Sequence, residues 1–165
     1  MSGLDESISI TRVAPKKSFF DISAIGTIMK IVVLGLFVVV FCANVEGKVY
    51  TKCGLTNELI TLNFPRTFIG NWVCLIESES GKNTSRITNR ANGKQGVGLF
   101  QIKSKDWCTF GKKGGTCNVK CEDMLDENIK DDGVCAEKVK NEFGFLAWDG
   151  WKRSCKGRNL PLPPC

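Results

Sequence analysis

Histidine is absent from all 165 residues. That absence removes Ser-His and Cys-His catalytic pairs, His-ligated zinc and the usual proton shuttle near neutral pH. Any enzymology must therefore rest on carboxylates. Internal repeats are lacking, and so is any nucleic-acid motif to accompany the positive charge. The apolar run at 31–43 has 13 residues, too few to span a bilayer comfortably, which takes about 20. Acids are outnumbered, 17 against 23 Lys and Arg, for a net charge of +6. Six of them crowd between Glu122 and Asp132, which leaves the remaining surface strongly basic and suited to anionic partners such as bacterial envelopes or membranes.

What is present begins with a leader. Residues 1–28 are mixed and polar, without the pattern of a folded domain. From Met29 the text reads MKIVVLGLFVVVFCANVEG, a start-like Met with a Lys, an apolar run and small residues before Gly47. This is the layout of a secretory signal at 29–47, cleaved after Gly47; the alternative is a type II membrane anchor behind a short cytoplasmic tail. Met29, rather than Met1, is a candidate true start. Cys42 leaves with the signal, so eight of the nine cysteines remain, an even number in a secreted chain.

In the remainder, Leu55, Leu59 and Leu62 are spaced for a helix ending near Asn63 and Pro65. The stretch NWVCLIESESGKNT at 71–84 predicts a helix from Trp72, with Trp72, Ile76 and Glu79 on one apolar stripe, Leu75 four residues before Glu79, and Gly81 as the stop. Glu77 lies off that stripe. A carboxyl at the buried end of a helix is disfavoured as an anion and suited to give up a proton. The residues alone equally allow Glu79 to be a solvated charge or a structural hydrogen-bond partner. An Asn92-Gly93 pair between 85–88 and 97–102 signals a hairpin. Cys135, Val139 and Phe143 mark another helix closed by Gly144, Trp148 and Trp151 a short fourth piece. The tail at 160–164 cannot be helical and is expected to be held only by Cys165. The layout is α+β with one domain core.

These residues carry a resemblance. KVY at 48–50, Cys53, NWVC at 71–74, Glu79-Ser80, Asn83-Thr84, GLFQI at 98–102, Trp107-Cys108, Cys117 and Cys121, Cys135-Ala136, Ala147-Trp148, Trp151 and CKG at 155–157 together resemble a chicken-type (C-type) lysozyme, and FPR at 64–66 its insect branch. The likeness covers 48–165. It implies a lysozyme-like fold, a helical domain plus a small β-hairpin domain, with bridges Cys53–Cys165, Cys74–Cys155, Cys108–Cys121 and Cys117–Cys135. Cysteine count alone would allow 105 pairings.

Such lysozymes, themselves the type case of two-carboxyl glycoside hydrolysis, cleave β-1,4 bonds of peptidoglycan. The resemblance makes Glu79 the general acid with Trp148 as its neighbour. The second carboxylate, seventeen residues on, falls at Gly96. Glycine cannot oppose an oxocarbenium ion, and Lys94, Asn92, Gln95 and Asp106 offer no obvious replacement. Water in the vacated space would allow slow hydrolysis with inversion, but no base for it is apparent. Lys103 stands where the family has an Asn that steadies the second carboxylate. Gln101, Trp107, Ala147 and Trp148 take cleft-lining positions by resemblance, although each Trp can equally be core, and Asp106 breaks the family's tryptophan pair at the cleft edge.

The run EDMLDENIKDDGV at 122–134 resembles the calcium loop of calcium lysozymes and α-lactalbumin. That likeness implies carboxylates from Asp126, Asp131 and Asp132 and carbonyls from Asp123 and Asn128, an all-oxygen set that calcium favours; a solvated acidic face is the alternative. Asn83-Thr84-Ser85 is also a glycosylation sequon. Three functions are then open for a secreted monomer: binding of peptidoglycan or chitin-type oligosaccharide with weak or absent hydrolysis, an active muramidase, or a cationic antimicrobial that works by charge on bacterial surfaces.

Overall fold

The computed structural model describes residues 47–165. The extension 1–28 and all but the last residue of the 29–47 leader lie outside the described residues. Among the described residues no helix is long and apolar enough to cross a membrane.

Helix α1 (Lys52–Thr61) opens where the Thr51 hydroxyl accepts the Gly54 N–H at 3.0 Å, satisfying a donor that the first turn leaves free. It buries Leu55 and Leu59. Leu62 is its cap rather than a member, since Asn63 takes a positive φ just beyond. After Pro65 and a 3-10 turn, α2 (Ile69–Ser80) begins three residues before Trp72, because Ile69 extends the same buried stripe of Trp72, Ile76 and Glu79. Gly81, at φ +65°, ends it in the left-handed conformation that glycine adopts cheaply.

The expected hairpin is a three-stranded antiparallel sheet, β1 (Ile87–Asn89), β2 (Gln95–Val97) and β3 (Ile102–Lys103), in that order. The Asn92-Gly93 turn joins β1 to β2, both residues at positive φ. The second run is not one strand. Gly98 and Gln101 both take positive φ, so 98–101 turn the chain back and split 97–102. The register places Gly96 between Thr88 on β1 and Lys103 on β3.

A 3-10 turn, Glu122–Leu125, leads to α3 (Lys130–Phe143), which Gly144 closes. Helix α4 (Asp149–Ser154) follows another 3-10 turn, and Trp148 is its extended N-cap, not a residue inside it. The core centres on Trp72, whose ring meets Phe64, Phe100, Phe145 and Trp148 edge-on at centroid distances of 5.3, 5.7, 4.9 and 5.7 Å, the geometry aromatic quadrupoles favour.

All four bridges join the expected partners. The tail is held by more than Cys165, because the Leu160 and Pro161 carbonyls lie against Gly70 of α2, where a Cβ would collide with them. The Cys53–Cys165 bridge closes a separation of 112 residues, for which loop-closure entropy allows a contribution of about 4 to 5 kcal/mol. Replacing both cysteines by serine is expected to lower the melting temperature measurably while the other three bridges keep the fold. Unchanged melting would mean that the tail's packing on Gly70 suffices.

Candidate active site and acidic loop

The buried stripe of α2 delivers Glu79 to the junction of helices and sheet. Its side chain is 2 % exposed, so it is not a solvated end-of-helix charge. One carboxylate oxygen accepts the Gly150 N–H at the start of α4, and the other accepts the guanidinium of Arg90. Gly150 must be glycine for this approach, since a Cβ there would come within 2.7 Å of Glu79 Oε1. Both partners are hydrogen-bond donors to the carboxyl.

Arg90 reaches Glu79 from the turn after β1. Its Nε is buried without a hydrogen-bond partner and lies beside Gly96. A Cβ on Gly96 would meet Gln101 Oε1 at 2.6 Å, and Arg90 Nε and Thr88 Oγ1 at 2.9 Å. None of these atoms is acidic. The absent side chain has therefore left no open space, because a cation and two hydrogen-bonded side chains fill it. The expectation of room for a water at Gly96 is corrected on this geometry.

Next to this corner lies a recess of about 390 Å³ lined by Gln101, Lys103, Asp106, Trp107, Ala147, Trp148 and Lys152, with Phe143 and Leu146 on its apolar side. The structure thus brings Gln101, Trp107, Ala147 and Trp148 together, and Glu79 is not among the lining residues. Trp148 is core as well as wall: it is buried, and its indole N–H donates to the Phe100 carbonyl at 2.7 Å. Trp107 is buried edge-on to Phe143. Gln101 is spent on structure, its amide donating to the Arg86 and Gly98 carbonyls and its oxygen accepting from Thr88. Asp106 binds Lys94 through both oxygens at 2.7 Å. Asp149 is paired with Lys152, whose hydrogen bond holds its carboxyl below the usual carboxylate range.

Sequence reasoning missed Arg90. The available signal was a long cation, six residues before an uncharged gap on the facing strand, within reach of an acid that had lost its usual counterpart. Lys103, where the family pattern has an Asn, donates its ammonium to the Ala147 carbonyl at 3.1 Å.

Asp123, Asp126, Asn128 and Asp131 line a second recess of about 470 Å³ with Lys130 and Lys138. Asp126 accepts the Asn128 N–H at 2.8 Å, and Asn128 accepts that of Lys130 at 3.3 Å. Asp132 does not line it. It is turned inward and buried, with Oδ2 lacking any hydrogen-bond partner. Burial, and then the Asp131 charge, push its carboxyl up to about 8. Asp131 is raised as well, chiefly by burial, with Asp126 and Asp123 adding to it. Among the described residues, no three acidic side chains stand close enough to hold a metal ion.

A helical body, a short three-stranded sheet, four disulfides and a buried Glu at their junction define a lysozyme-like fold. Residues 48–163 match the C-type lysozyme/alpha-lactalbumin family, and the chain belongs to it. It is 40 % identical over 137 residues to a lysozyme of Bombyx mori, covering 82 % of this chain and 98 % of that protein. A lysozyme of Hyalophora cecropia is 43 % identical over 126 residues, covering 75 % and 91 %. Among solved structures, a calcium-binding lysozyme from equine milk superposes with a TM-score of 0.62 at 38 % identity, covering 68 % of this chain and 93 % of that one.

Proposed function

We propose that this is a secreted, monomeric lysozyme-family protein that binds peptidoglycan or chitin-type oligosaccharide and hydrolyses it weakly or not at all. The observation that carries the reading is the corner at Glu79: an Arg guanidinium occupies the acid, and glycine replaces the carboxylate that should oppose a sugar cation. A proton donor must reach the leaving oxygen, and both oxygens of the buried Glu79 carboxyl are held by Arg90 and Gly150. The binding role is assigned to Trp107, Ala147 and Trp148 around the recess, with Gln101 shaping its wall through its bonds to Arg86, Gly98 and Thr88, and secretion to the 29–47 leader.

An active muramidase is the second reading. The retained Glu79 and the family lysozymes at about 40 % identity favour it. Clearing of a bacterial wall suspension, with wild type beside Glu79→Gln, separates the readings. No clearing by either, with wild type retained on insoluble peptidoglycan, is the expected outcome. Clearing abolished by the substitution supports the enzyme, and equal lysis by both proteins supports action by charge alone.

We also assign the acidic loop to calcium. The donor chemistry fits: the carboxylates of Asp126, Asp131 and Asp132 with the carbonyls of Asp123 and Asn128 form an oxygen-only set for a hard cation. The buried, unpartnered Asp132 Oδ2 is an orphan of the kind that calls for an ion or a water. Bound calcium would neutralise the crowded carboxylates where α3 begins.

A further inference from the structure

The acceptors of the cleft are already engaged by the protein's own donors. The Ala147 carbonyl holds Lys103, Gln101 Oε1 holds Thr88, Asp106 holds Lys94, and Glu79 holds Arg90 and Gly150. These oxygens keep further lone pairs, but the charge left without a counter-ion is on a donor. Lys103 has three N–H bonds and uses one, on a neutral carbonyl. Lys152 shares the recess wall with Lys103 and Asp106, and around it three ion pairs form, Arg90 with Glu79, Lys94 with Asp106 and Lys152 with Asp149. Lys103 is the cation of this group with no carboxylate partner.

A neutral N-acetyl sugar brings both amide and hydroxyl donors and needs acceptors from its site. A carboxylate accepts only. We infer that this cleft selects an acidic oligosaccharide, one carrying carboxylates on its rings, and that Lys103 is the specificity residue that pairs with the acid while the apolar wall of Trp107, Phe143 and Leu146 packs on the sugar. Where the loss at 96 changes the chemistry, the change at 103 thereby changes the ligand. This rests on the glycan-binding reading above.

The test is a tryptophan-fluorescence titration of the purified protein with two tetrasaccharides, neutral chitotetraose and one of alternating glucuronate and N-acetylglucosamine. Expected is about tenfold tighter binding of the acidic sugar at low salt, the size of one charge-assisted hydrogen bond, with the gap narrowing at high salt. Lys103→Asn, or Lys103→Gln should the first variant fold poorly, is expected to abolish the preference, while Lys112→Gln on the exposed Gly- and Lys-rich loop leaves it intact. Equal or tighter binding of chitotetraose overturns the inference and leaves the glycan reading standing. A preference that survives loss of Lys103, or falls equally with Lys112, overturns it too. Binding of neither sugar overturns both readings.

Discussion

Gly96→Asp combined with Arg90→Asn is expected to raise cleavage of peptidoglycan by on the order of a hundredfold over wild type, the usual worth of one preorganised charge at a reacting centre. Each change alone should give much less. An aspartate at 96 would arrive 2.9 Å from Arg90 Nε at its Cβ and be neutralised by that guanidinium. Asn at 90 frees Glu79 but supplies nothing to oppose positive charge on the sugar. The two substitutions share one corner and should couple more than additively. They carry a cost, because Glu79 is almost fully buried and removing a partner from such a pair can destabilise by up to about 3 to 5 kcal/mol. Arg90→Asn should therefore melt below wild type. Full recovery by Gly96→Asp alone would show that Arg90 does not obstruct the site, and no recovery by the double variant would place the defect in the remaining crowding by Gln101 and Thr88 or elsewhere in the cleft.

Calcium removal is the second large effect. A ligand present at about a thousand times its Kd stabilises by about 4 kcal/mol, which for a domain of this size lowers the melting temperature on chelation by roughly 10 °C. Asp132 is central to the response, since its Oδ2 is the buried oxygen left without a partner. Asp132→Asn should melt nearly alike with calcium and with excess chelator, and above the chelated wild type, because its neutral amide avoids the cost of burying or neutralising a carboxyl there. Identical melting of the wild-type protein in the two conditions would remove the calcium assignment.

Much of this was legible because it is local. The i, i+4, i+7 spacing put Glu79 on a buried helix face, and Gly81 and Gly144 ended their helices through positive φ. The Asn92-Gly93 turn was legible for the same reason. The bridges came from resemblance alone, since spacing cannot choose among pairings. Arg90 on Glu79 was hidden because the contact spans eleven residues and two elements, and no periodicity encodes where a long side chain lands. Lys103 on Ala147, 44 residues apart, was hidden for the same reason. The split at 98–101 was masked by an apolar run that reads as one strand; only Gly98 hinted at the turn. Trp148 reads like a helix residue, yet its backbone is extended as the N-cap of α4 and its indole is committed to the Phe100 carbonyl.

The most direct measurement is turnover itself: reducing ends released from soluble peptidoglycan by the purified protein, beside a family lysozyme that keeps both the glutamate and the aspartate. A rate lower by about a hundredfold or more is expected from a corner in which Arg90 holds the acid and Gly96 offers no anion. A rate within a few-fold of that lysozyme would contradict it.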